Sequence, residues 1–181
     1  MALDFVNTVN DVRTGQGEYL NNPEDLARWA HHARVLTEDE LPAVLASLVD
    51  NPAAARRTFR ATLRLRTATT ALLTRQPTDD HAAVIDQWRR RGAVRHHLVV
   101  EQDDPVLRWS GEIDLECIAV KITTSLLELI DSSRWTQVSQ CRGQRCGWLY
   151  LDPSPTRRRR WCSMEDCGNR AKVRRFRARA D

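Results

Sequence analysis

The sequence predicts an α+β protein, mostly α, in which an N-terminal helical domain with a short β-hairpin is followed by a C-terminal treble-clef-like zinc finger. Three observations predict it. Apolar residues recur at helical spacing behind capping residues through most of the first 130 positions. The pattern turns strand-like between residues 93 and 109. Four cysteines near the C-terminus, Cys141, Cys146, Cys162 and Cys167, form two C-x4-C pairs. A chain of 181 residues accommodates one well-cored domain and a small appendage. The division is expected between a helical domain over 1–135 and a finger with a basic C-terminal helix over 136–181.

The opening Leu3-Asp4-Phe5-Val6-Asn7-Thr8 is apolar enough for a buried strand or helix, and Asn10–Asn21, with Gly15 and Gly17, reads as a loop. Asn22 caps a helix that starts at Pro23 and carries Leu26, Trp29, Ala30, Ala33 and Leu36 at helical spacing. Thr37 and Glu40 form a capping box for a second helix. Asn51-Pro52 opens a third, whose Phe59, Leu63, Leu72 and Leu73 lie near one stripe while Arg56, Arg57, Arg60, Arg64 and Arg66 read as a solvated face. Thr78 caps a fourth helix, expected to stop at Gly92. Residues 93–102 and 106–109 predict a hairpin around Asp103–Pro105, and Ser110 is expected to cap a fifth helix, apolar enough to be the core element. Trp135 and Val138 lead as a strand into Cys141, and Trp148–Leu151 is the return strand. Ser163 precedes Asp166 by three, which starts a helix at the second cysteine pair and runs it into the basic tail.

Paired cysteines beside Gly143, Gly147 and Gly168 suit metal knuckles, because one zinc ion takes four thiolates at tetrahedral corners. The competing reading, two disulfides, needs an oxidising compartment, and the opening MALDFVNTVND has no signal-peptide pattern. The expectation is therefore a cytoplasmic protein with one structural Zn2+; no stretch approaches a membrane span. Cys117, inside an apolar helical stretch, reads as a buried hydrophobe. The net charge of +4 is unevenly spread: from Cys141 onward twelve Arg and Lys stand against four Asp and Glu. Four thiolates on one zinc ion reduce the resulting +8 to about +6. Some of that charge could serve the metal, with Arg142 and Arg145 as donors to the sulfurs.

That concentration predicts a nucleic-acid partner. Candidate contacts are Arg157, Arg158, Arg159 and Arg160 before the second knuckle, and Arg170, Lys172, Arg174, Arg175, Arg177 and Arg179 on the final helix. Val173, Phe176 and Ala180 share a stripe expected to pack on the metal module. DNA is the preferred partner. RNA is the alternative if Trp148, Tyr150 and Trp161 stack on bases rather than fill the small core. Docking to an acidic protein is a further alternative. No phosphate loop, nucleophile elbow, paired carboxylates or metal-spaced histidines point to an enzyme. Asp4, Asn7 and Thr8, interleaved with apolar neighbours, are candidates for holding a small-molecule ligand, the alternative being that they satisfy backbone groups.

The tail resembles the CGNR zinc-finger family through Cys167-Gly168-Asn169-Arg170, with Arg145-Cys146 before a hydrophobic strand, Trp161-Cys162-Ser163-Met164, and Lys172. The N-terminal portion is similar to the ABATE domain through Leu3–Thr8. The resemblance implies a bacterial, stress-related transcription regulator with the finger as the DNA-binding part and the helical domain as a sensor.

Overall fold

The computed structural model describes residues 1–11, 14 and 16–178. At its centre is the helix α6 (Leu115–Asp131), which buries Leu115, Cys117, Ile118, Ala119, Val120, Ile122, Thr123 and Leu126. Helices α1 (Ala2–Val6), α2 (Pro23–His32), α4 (Pro52–Leu73) and α5 (Asp79–Arg95) pack around it. α3 (Glu40–Asp50) covers α2 and α4. A helix apolar over more than one face is stable only when enclosed, and α1, α2, α4 and α5 enclose α6.

Local chemistry sets most helix starts. Asn22 Oδ1 accepts the Asp25 N–H at 2.9 Å, and Asn51 Oδ1 accepts that of Ala54 at 3.0 Å; a proline follows each cap, where its missing donor costs nothing. Thr37 and Glu40 bond reciprocally, at 2.9 and 3.2 Å, just ahead of α3. Thr78 caps α5, with His81 Nδ1 accepting the Thr78 N–H at 3.1 Å in the position a glutamate usually fills.

Several boundaries differ from the sequence reading. α2 ends at His32, short of Ala33 and Leu36, and Trp135 lies in a 3-10 turn, Arg134–Gln137, rather than in the strand before Cys141. α5 does not stop at Gly92 but continues to Arg95. Gly92 is instead the point where α5 presses on α6, since a Cβ there would lie 2.8 Å from Val120 Cγ1. The cap of α6 is Asp114, which accepts the Glu116 N–H at 2.8 Å, rather than Ser110.

The expected hairpin is present as β3 (His96–Glu101) and β4 (Asp104–Trp109). Its two-residue turn is Gln102-Asp103, both at positive φ, and Asp104 and Pro105 belong to the strand. A second hairpin, β1 (Val9–Asp11) with β2 (Gln16–Glu18), lies in the stretch read as a loop. These short strands carry no alternating apolar signal, and long-range contacts hold them. Of the arginines on α4, Arg56, Arg57, Arg60 and Arg64 are exposed as expected. Arg66 is not: its guanidinium grips the Glu18 carboxylate and donates to Thr8 Oγ1 at 2.7 Å. Burial alone would raise the Glu18 pKa, but the Arg66 and backbone hydrogen bonds outweigh it and hold the carboxyl below the usual range.

Two predictions follow from these contacts. Glycine to alanine inside a helix normally stabilises by about 1 kcal/mol, whereas the contact with buried, branched Val120 reverses the sign. Gly92→Ala should lower stability by about 1 kcal/mol. In a chemical-denaturation double-mutant cycle, Val120→Ala should recover part of that loss. Because the folded Glu18 pKa is lowered, its pair with Arg66 stabilises above the ordinary glutamate range and is lost as pH falls through the lowered value. Glu18→Gln should accordingly flatten the acid limb of the stability–pH curve.

Candidate metal centre

The centre is built by two short elements from opposite ends of the tail. β5 (Val138–Gln140) pairs antiparallel with β6 (Leu149–Leu151), and Cys141 continues from β5 with its N–H on Trp148 O at 2.8 Å. The second pair sits where the chain turns into α7 (Asn169–Arg177): Ser163 Oγ accepts the Asp166 N–H at 3.2 Å, and one wide turn, Met164–Gly168, carries Cys167 to the helix start. The first cysteine pair thus flanks the β5–β6 turn, and the second lies on the turn that leads into α7.

The four Sγ atoms lie within 4.8 Å of one another. Cys146 and Cys162 sulfurs are 3.7 Å apart, and those of Cys162 and Cys167 3.8 Å. A tetrahedral ion with Zn–S bonds of about 2.3 Å separates its sulfurs by about 3.8 Å, so this donor set fits one structural zinc ion with a closed coordination sphere. The backbone is shaped for it. Gly143 leaves the room a side chain would take, since a Cβ there would lie 3.0 Å from Cys167 Sγ.

Donors surround the sulfurs. Cys141 Sγ accepts the N–H groups of Cys162 at 3.3 Å and Gly143 at 3.4 Å, and Cys146 Sγ that of Trp148 at 3.5 Å. Arg170 Nη2 donates to Cys167 Sγ at 3.2 Å. The side chains expected to serve this role, Arg142 and Arg145, make no such contact; the helix start points Arg170 back at the metal site instead. Burial pushes the thiols up: Cys146 rises to about 11, with the neighbouring Cys141 thiolate adding to the effect, and Cys162 rises further. At Cys141 burial acts in the same direction, but the N–H groups of Cys162 and Gly143 outweigh it and leave the pKa lowered. Four such groups ionise together only around a cation. Cys117 lies apart, buried in α6, where burial pushes its thiol to about 12.

Four candidate phosphate contacts are partly used by the lobe itself: Arg170 on Cys167 Sγ, and Arg157, Arg159 and Arg160. Arg159 lies 4.4 Å over the Tyr150 ring and donates to Trp161 O at 2.9 Å and to Cys162 O. Arg157 Nη1 donates to Thr136 O at 3.0 Å while the residue stays exposed. Arg160 lies 5.6 Å from the Trp161 ring. Arg158, Lys172, Arg174, Arg175 and Arg177 are exposed; Arg179 and Ala180 lie outside the described residues. Tyr150 is buried, Trp148 and Trp161 pack against the cysteine cluster, and all three serve as core. The stripe of α7 does not pack there as expected: Val173 is 50% and Phe176 76% exposed. Ala171 is the one buried residue of α7, so the helix meets the module through its smallest side chain and turns the larger ones outward.

Asp4 is exposed and paired with the Met1 amine at 2.9 Å. Asn7 joins the two parts of the chain, its side chain donating to Leu149 O and accepting the Leu149 N–H, both at 2.9 Å. Thr8 Oγ1 donates to Phe5 O and accepts from Arg66, both at 2.7 Å. Trp148 Nε1 completes the joint on Val9 O at 2.6 Å. The sequence singled out Asn7 without its partner, which is a backbone group 142 residues away.

A helical bundle carrying one closed four-cysteine centre and a cationic helix is a structural zinc-finger protein. The chain belongs to the ABATE family: residues 1–132 match the family model described as "Putative stress-induced transcription regulator". Residues 137–180 match the CGNR zinc finger, whose name-giving run is Cys167–Arg170. Both are regulatory families and neither is a family of enzymes. No curated protein matches the chain at a significant level. Among the described residues no helix is long and apolar enough to cross a membrane.

Thiol reactivity distinguishes the two cysteine environments. The zinc-loaded chain should show no cysteine reactive toward a disulfide reagent. Chelation should expose four, with release of one equivalent of zinc and loss of ordered signal from the β5–β6 hairpin and α7. Cys117 should react only in denaturant. Acidification should release the metal as protons compete for the thiolates.

Proposed function

We propose that this regulator acts by binding duplex DNA, with the zinc lobe as the contact surface and arginines of the 157–160 loop and of α7 on the phosphates. The observation that carries this reading is the contrast in charge pairing. In the N-terminal bundle Arg28, Arg66, Arg89, Arg90, Arg91 and Arg108 are tied to carboxylates, while Arg56, Arg57, Arg60 and Arg64 on α4 are exposed without an ion pair among the described residues. In the lobe no arginine is ion-paired among the described residues, nor is Lys172. Cations left without a carboxylate partner on a folded support favour an external polyanion. The inward packing of Tyr150, Trp148 and Trp161 favours duplex over stacked single strands, which need free aromatic faces.

The division at residues 135 and 136 belongs to this reading: the helical domain supports the lobe and passes it any signal. A groove is bordered by Val6, Val9, Thr70, Gln140, which precedes Cys141 in the chain, and Arg66, which donates to Thr8. We assign ligand sensing to that groove and to the joint made by Asn7 and Thr8.

The test is affinity of the zinc-loaded chain for random duplex DNA as a function of salt. With five or six phosphates neutralised, log affinity should fall against log salt with a slope of about −5. Replacing Arg157, Arg158 and Arg160 together by alanine, with the clip Arg159 kept, should flatten the slope. An unchanged slope takes the loop out of the interface. Absence of salt-dependent DNA binding, with a protein partner retained, would select the adaptor reading instead.

A further inference from the structure

We propose that α7 enters the major groove of DNA with Val173 and Phe176 against the base edges, so that the lobe reads thymine methyl groups in addition to phosphates. This rests on the DNA-binding reading above and adds which element enters the groove and what it recognises there.

The arrangement of residues around α7 carries the inference. At 100° per residue, Asn169, Val173 and Phe176 form one ridge, opposite the buried Ala171. Arg170, Arg174 and Arg177 flank the ridge on one side, and Lys172 and Arg175 on the other. The ridge is apolar at its middle and end, and it is open: Val173 is 50% and Phe176 76% exposed. Phe176 is an exposed phenylalanine on a helix made largely of cations, and no described residue covers it. Asn169 Nδ2 is engaged by Glu165 O at 2.9 Å, and Arg170 by Cys167 Sγ at 3.2 Å. Val173 and Phe176 are left on the ridge, with Arg174 and Arg177 on one rail and Lys172 and Arg175 on the other.

A ligand that matches two cationic rails beside an apolar ridge has two anionic walls and a floor with apolar groups. The major groove of B-form DNA is such a ligand: it is about 12 Å wide, is walled by phosphates and presents the thymine methyl on its floor. Nine residues of helix span about 13 Å, enough to lie in it. A second copy of the chain is disfavoured as the occupant, because pairing two such ridges would bring two sets of rails of like charge together. Duplex RNA is disfavoured because its major groove is too narrow and deep for side chains to read.

The experiment uses the full zinc-loaded chain. Duplexes with a random core of roughly one helical turn are selected by binding, and the winning duplex is remade with deoxyuridine for thymidine, which removes only the methyl groups. Wild type should lose about fourfold in affinity per contacted methyl. The double variant Val173→Ala/Phe176→Ala should bind the thymidine duplex more weakly and be indifferent to the replacement, while its salt slope and zinc content stay at wild-type values. Both side chains are solvent-facing, so folding is not at stake, and an unchanged melting temperature checks this. Equal binding of the two duplexes by wild type, a selected core without thymine, or a variant that retains the deoxyuridine penalty would each overturn the proposal and leave phosphate binding standing. If the variant instead turned a dimer into a monomer with DNA affinity unchanged, the ridge would be an interface between copies. A wild-type chain with no salt-dependent duplex binding would remove the DNA-binding reading itself, and this one with it.

Discussion

The positions of the exposed cations in the C-terminal lobe depend on one constraint: four sulfurs must converge on a single ion. The lobe has a small core made of the cysteines, Tyr150 and the partly buried Trp148 and Trp161. Apolar burial on that scale does not order some forty residues, whereas a structural zinc site contributes on the order of 10 kcal/mol. The ligands are distributed so that the crosslink works twice. One pair closes the β5–β6 hairpin and the other fixes the start of α7, so both arginine-bearing segments leave from the metal site.

The lobe is also held to the bundle rather than merely tethered to it. Val138 and Leu149, from β5 and β6, belong to the main hydrophobic core with α6. Asn7 fastens the backbone of Leu149, and Trp148 reaches the carbonyl of Val9. A side-chain amide that both donates to and accepts from one residue of a strand replaces the neighbouring strand β6 would otherwise lack. The element at the start of the chain thereby fixes the orientation of the hairpin that carries Cys141 and Cys146, and the Arg66 pair with Glu18 and Thr8 buttresses it from α4.

Much of this could be read from residue order, wherever the governing interaction is local. Caps at Asn22, Asn51, Thr78 and Ser163 act over three residues, and each starts a helical turn where its sequence signal stands; the Thr37–Glu40 box lies just ahead of α3. The cysteine spacing announced a metal site because a knuckle closes over six residues. The reading failed where the deciding partner is distant. Gly92 looked like a helix stop, but Val120 requires the gap. Arg66 looked solvated, but Glu18 lies across the fold. Asn10–Asn21 looked like a loop because the hairpin within it is held by tertiary contacts rather than by its own apolar pattern.

The sequence by itself determined the mostly helical class, the four ligands and the concentration of positive charge, since periodicity, capping and thiol spacing are properties of neighbouring residues. Only the tertiary structure decided which way the charged elements face. The apolar stripe of α7 could have packed inward, and its amphipathic spacing reads that way. Ala171 meets the metal module instead, and Val173 and Phe176 stand outward among the arginines. The choice between two faces of one helix depends on how closely the helix approaches what lies beneath it, and no local pattern records that distance.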